Sequence, residues 1–158
     1  MALHLRGPIT LATYSDAPGT VPQTSFNDAN GLTCYTAGVD SFMARGVLFE
    51  VIDSVGSKAP TVAAASGLMS ANATGWVTGN ENFCGLKTQT GLTANFWTLA
   101  SPARIWVVPQ LVVIVQPPPL IAAHKVRLVI TTAAGAASFT PTIRAWVLTD
   151  EVIAYPAA

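Results

Sequence analysis

Apolar and polar residues alternate with a period of two through much of this chain, and helical periodicity is weak. Residues 8–14 (PITLATY) place Ile9, Leu11 and Thr13 on one side. Residues 47–55 (VLFEVIDSV) set Val47, Phe49, Val51 and Asp53 against Leu48, Glu50 and Ile52. Residues 124–133 (HKVRLVITTA) oppose Val126, Leu128 and Ile130 to Lys125, Arg127 and Val129. Residues 142–155 (TIRAWVLTDEVIAY) oppose Ile143, Ala145, Val147 and Thr149 to Arg144, Trp146 and Leu148. A short strand is predicted at 75–79 (GWVTG) and a less regular one at 92–100 (LTANFWTLA). Successive side chains of a strand point to opposite faces, so each alternating run offers one apolar face to a core. Strand signals at roughly ten-residue spacing, separated by Gly, Pro, Asn and Asp clusters, predict an all-β fold. The expected form is an antiparallel sandwich or barrel, jelly-roll or Greek-key-like, with long irregular loops.

Three stretches depart from this pattern. Residues 40–46 (DSFMARG) suit one or two helical turns capped by Asp40 or Ser41. Residues 60–75 (PTVAAASGLMSANATG) hold enough Ala for a helix, but Gly67 and two serines interrupt it, which predicts a long loop with at most a helical turn. Residues 15–37 are rich in turn formers and lack periodicity, so about 1–37 is read as an extended arm that needs something to lie against. No linker or repeat divides the chain, and 1–158 is read as a single domain.

The stretch 105–123, IWVVPQLVVIVQPPPLIAA, carries no charge over nineteen residues. That is long enough to cross a bilayer as a helix. Pro109 and Pro117–Pro119 would break such a helix, and its apolar positions are mostly β-branched. The stretch is therefore read as a strand from about Arg104, a bulge or edge position at Pro109, a second run over Leu111–Val115 and a polyproline turn. The second run is apolar on both faces, so both faces need cover. A neighbouring subunit or a loop of the same chain can supply it. Leu111, Val113, Val115 and Trp106 are the expected interface residues.

Composition turns this pattern towards association. Only 10% of the residues are charged while 51% are hydrophobic, and the formal net charge is zero. Soluble domains average about 25% charged residues, and isolated ones keep a net charge away from zero. Obligate interfaces are apolar and charge-poor, so copies of this chain are expected to cover one another. The eight basic residues are scattered, which excludes nucleic acid as the main partner. No membrane partner is expected. The segment MALHLRGPIT has no secretory h-region, so no signal is expected there.

Sites for chemistry fail on their requirements. FNDANG (26–31) resembles the middle of a calcium loop, but its first and twelfth ligand positions fall on Phe26 and Ala37. An Asx-type turn is the better reading. GLKT (85–88) lacks the opening glycine of a phosphate loop. His4 and His124 are the only histidine bases, and no nucleophile elbow is present. Cys34 and Cys84 show no metal spacing with them and are read as small buried hydrophobes, although a single pairing remains open. Asp150 and Glu151 are adjacent and point to opposite faces of a strand. No catalytic, cofactor or metal residue is assigned, and an enzyme is not expected. Trp76, Trp97, Trp106 and Trp146 are read as core anchors, with sugar stacking as the alternative.

Short, all-β, poor in charge and rich in Ala, Thr, Val, Gly and Pro, the chain resembles small virion proteins of tailed bacteriophages, head decoration or cement proteins above all. The resemblance implies a structural subunit located in the virion and assembled in the host cytoplasm. It also implies a homo-oligomer, a trimer by preference, on a capsid or other virion protein, with the N-terminal segment as an anchor. It assigns no functional residue. A carbohydrate- or receptor-binding β domain is the alternative.

Overall fold

The inward-facing residues of three strands form the centre of the core. In the computed structural model, which describes residues 3–16, 19–27, 32–53, 61–78, 85–88, 103–108, 120–131 and 139–150, these strands are β5 (Gly46–Asp53), β10 (Lys125–Thr131) and β11 (Pro141–Asp150). Val47, Phe49 and Val51 of β5 meet Val126, Leu128 and Ile130 of β10 and Ile143, Ala145 and Val147 of β11, all at most 3% exposed. Phe26, Ile105, Val107, Ile121 and Phe139 add further large side chains to the cluster, and smaller residues such as Cys34, Ala65 and Ala123 fill in around them. Burying one such large side chain contributes about 1.5–3 kcal/mol.

The remaining strands are β1 (Leu3–Thr10), β2 (Thr13–Tyr14), β3 (Thr33–Thr36), β4 (Val39–Asp40), β6 (Thr61–Leu68), β7 (Val77–Thr78), β8 (Gly85–Thr88) and β9 (Ala103–Val108). The first sheet runs β1-β11-β5-β9-β8. The second runs β2-β3-β10-β6-β7, with β4 also on β10. Every pairing is antiparallel. The two sheets pack as an open sandwich, not as a closed barrel.

The structure departs from the sequence reading in the stretches without clean alternation. Thr61–Leu68 is a full strand, not a loop. Its Ala run favours a helix locally, but seven positions pair with β10, from Lys125↔Leu68 to Thr131↔Thr61. The backbone partners offered by β10 override propensity, and small side chains fit where Ala65, Ser66 and Gly67 are buried. Residues 40–46 form the end of β4 and one tight turn, with no helix. There Met43 takes φ 63°, Ala44 N–H donates to Ser41 O, and Ser41 Oγ donates to Ala123 O rather than capping a helix.

Several described residues among the first 37 also enter the sheets. β1 pairs with β11 and β3 with β10. Phe26, fully buried, bridges to Phe139 through reciprocal backbone hydrogen bonds of 2.9 Å, with their rings 5.4 Å apart. A turn-rich segment thus gains its place from one aromatic anchor. The expected strands at 92–100 and Leu111–Val115, and the bulge at Pro109, lie outside the described residues.

Candidate functional site

At one margin of the first sheet lies β1, held by β11 alone among the described residues. All eight of its residues are exposed, including Leu3 (58%), Leu5 (46%) and Ile9 (44%). Its register slips between Arg6 and Ile9, where Gly7 and Pro8 form a bulge. Gly7 has φ +148°, and a Cβ there would sit 2.7 Å from both Ala145 O and the Trp146 ring. Only glycine tolerates both the dihedral and the approach. Beyond the bulge the strand re-enters register, and Leu11 N–H donates to Ile143 O at 2.9 Å.

A groove of about 270 Å³ opens along this margin, between β1 and β4. Ile9, Leu11, Val39 and Val147 line its apolar part, with Arg6 and Asp40 adding opposite charges. Asp40 lies 3.6 Å from Lys125 Nζ in an exposed ion pair. The sequence missed this surface, because alternation in 8–14 reads as a strand with one buried side. The exposure of β1 along its whole length is a tertiary outcome.

On the outer face of the first sheet, Trp146, Leu48 and Trp106 stand in register across β11, β5 and β9, all half-buried. Trp106 lies over Gly46, whose absent Cβ would be 3.4 Å from the ring. The next row is ionic. Glu50, 7% exposed, accepts from Arg144 at 2.5 Å and Arg104 at 3.3 Å. Burial works to raise the Glu50 pKa, but the hydrogen bonds from Arg144 and Arg104 outweigh it and leave the carboxyl below its ordinary value. Of the residues expected at an interface, Trp106 is on this outer face, while Leu111, Val113 and Val115 lie outside the described residues.

On the outer face of the second sheet, Arg127 of β10 is 5% exposed. Its guanidinium carbon lies 4.6 Å from the Tyr35 ring centroid and 4.3 Å from that of Trp76. Burial pulls the Arg127 pKa below its ordinary value, opposed by Tyr35. The three described tryptophans are therefore not core anchors, contrary to expectation. Trp76, Trp106 and Trp146 are half-buried on outer faces, beside arginines or apolar residues. Phenylalanine and aliphatic side chains fill the core instead, because an indole N–H buried there would need an acceptor.

Reactive chemistry finds no constellation among the described residues. No group of three His, Cys, Asp or Glu residues could hold a metal ion. His4 is exposed on β1, and half-buried His124 has a buried Nδ1 with no hydrogen-bond partner. Cys34 is a buried free thiol, whose pKa burial pushes up to about 12, against a lowering hydrogen bond with Thr13. Cys84, Trp97, Glu151 and the turn at 28–31 lie outside the described residues. Among the described residues, no helix is long and apolar enough to cross a membrane. What the geometry offers is surface: a strand margin with a groove, and two sheet faces carrying aromatic rings beside arginines. Comparison of the chain with protein-family models, with curated proteins and with solved structures finds no match.

Proposed function

We propose that this chain is a non-enzymatic structural subunit that acts by self-assembly through the β1 margin. The observation that carries the reading is β1 itself, an eight-residue strand exposed along its whole length. Edge strands are ordinarily shortened, charged or covered, because their free backbone groups invite pairing. Here Pro8 removes one donor and Arg6 adds one charge, but Leu3, Leu5 and Ile9 remain open to water. Covering the exposed remainder of each of these three side chains contributes about 1 kcal/mol. Low charge over the whole chain supports the same reading, since interfaces of permanent oligomers exclude ionic groups.

The biological setting proposed is a tailed-bacteriophage virion, with the chain as a decoration or cement protein on the capsid and a trimer as the preferred state. The support is composition and β architecture, both of which suit a subunit whose work is geometric. Size-exclusion chromatography with light scattering tests the assembly. The wild type is expected to run as a defined oligomer at micromolar concentration. The double variant Leu5→Glu/Ile9→Glu is expected to run as a monomer with an unchanged far-ultraviolet dichroism spectrum. A wild-type monomer across the concentration range overturns the reading.

A further inference from the structure

Four basic side chains of the described residues have carboxylate partners. Arg45 pairs with Asp150, Arg104 and Arg144 share Glu50, and Lys125 meets Asp40. Arg127 is more buried than any of them and has no carboxylate within 4.0 Å among the described residues. Its Nε is buried without a hydrogen-bond partner. Two rings stabilise its charge, Tyr35 from β3 on one flank of β10 and Trp76 from the segment leading into β7 on the other. Rings answer the charge through their π faces, but they leave the in-plane N–H donors of a guanidinium without acceptors. Buried donors are otherwise almost always satisfied, and a carboxylate approaching in the plane satisfies two at once.

We propose that Arg127, held by Tyr35 and Trp76, is the docking point for a carboxylate side chain on an acidic segment of a partner polypeptide. Three features point to a polypeptide. Arg, Tyr and Trp are the residue types that dominate protein–protein hot spots, and the rings bring apolar contact area to the charge. The site is on the outer face of a sheet, where an extended segment can lie along the strands, and it is separate from the groove described above. Polar neighbours can serve such a segment: Lys125, which also reaches Asp40 in an exposed ion pair, lies two residues along the same face of β10, and Ser66 stands opposite Arg127 on β6. The inference goes beyond self-assembly through β1, because it concerns the other sheet and holds for a monomer or an oligomer.

The test is nuclear magnetic resonance of the wild-type chain, observing the Nε–H of Arg127 and the indole N–H of Trp76 during titration with a capped Ala-Glu-Ala tripeptide. Saturable shifts of both signals are expected, with none from capped Ala-Gln-Ala. Arg127→Met, which keeps length and loses charge, is expected to weaken binding roughly tenfold or more. Arg127→Lys, which keeps charge and loses the fork, is expected to weaken it as well. Should either variant fail to fold, the two wild-type signals decide alone. Equal responses to the Glu and Gln peptides, or no response to either, overturn the proposal. Shifts produced by inorganic phosphate but not by the Glu peptide overturn it too, by assigning the site to a different anion.

Discussion

Arg45 grips Asp150 with a two-point fork, Nε to Oδ1 and Nη2 to Oδ2, each at 2.9 Å. The residue just ahead of β5 thereby holds the last residue of β11. Arg45 N–H also donates to Leu148 O, so backbone and side chain fasten the same corner. This corner adjoins β1, since Leu3 lies opposite Asp150 in the register.

The fork predicts a pH dependence. Hydrogen bonding from Arg45 holds the Asp150 carboxyl below the usual carboxylate range. A carboxyl depressed in the folded state binds fewer protons there than in the unfolded chain. Its contribution is complete above the unfolded value of about 3.9 and is lost as pH falls through the folded value. Urea unfolding from about pH 6 down to about pH 2 is expected to show a shallower acid loss for Asp150→Asn than for the wild type, with the variant less stable at the upper end. Parallel profiles would remove Asp150 from the acid response.

Glu50 couples three strands, β5, β9 and β11, through its two arginines. Glu50→Gln is expected to destabilise the fold by about 1–2 kcal/mol, because an amide accepts more weakly from a guanidinium than a carboxylate does. The cost stays below that of breaking a fully buried pair, since the side chains of Arg104 and Arg144 are 51% and 40% exposed. Chemical denaturation at neutral pH measures it.

Gly7→Ala is expected to cost about 1–3 kcal/mol, through the left-handed dihedral and the collision of the new methyl with Ala145 O and the Trp146 ring. The loss should be local first. Amide hydrogen exchange should quicken along β1 well before it does in β5, and equal acceleration in both strands would contradict a local role for the bulge.

Cys34 should resist alkylation by iodoacetamide at about pH 8 in the folded protein and react on unfolding, because a thiol pushed up to about 12 holds almost no thiolate there. Peptide mapping by mass spectrometry after a brief pulse reads Cys34 separately from Cys84. Rapid native labelling of Cys34 would show that its burial is breached.

Local pattern is enough to specify the all-β class and the strands around 47–53, 104–108, 125–131 and 142–150. The first, third and fourth of these runs alternate, so a period of two shows which residues share a face, while 104–108 is marked by its β-branched residues. Tertiary structure decided the rest. Thr61–Leu68 became a strand because β10 offered it backbone partners, against the preference of its alanines. Trp76, Trp106 and Trp146 left the core for the outer faces, a choice that depends on which neighbours each strand acquires. Neither the bare margin of β1 nor the meeting of Arg127 with Tyr35 and Trp76 could be read from spacing. Both arise from which strands become neighbours, and pairing across long sequence separations leaves no trace in the local pattern of a single chain.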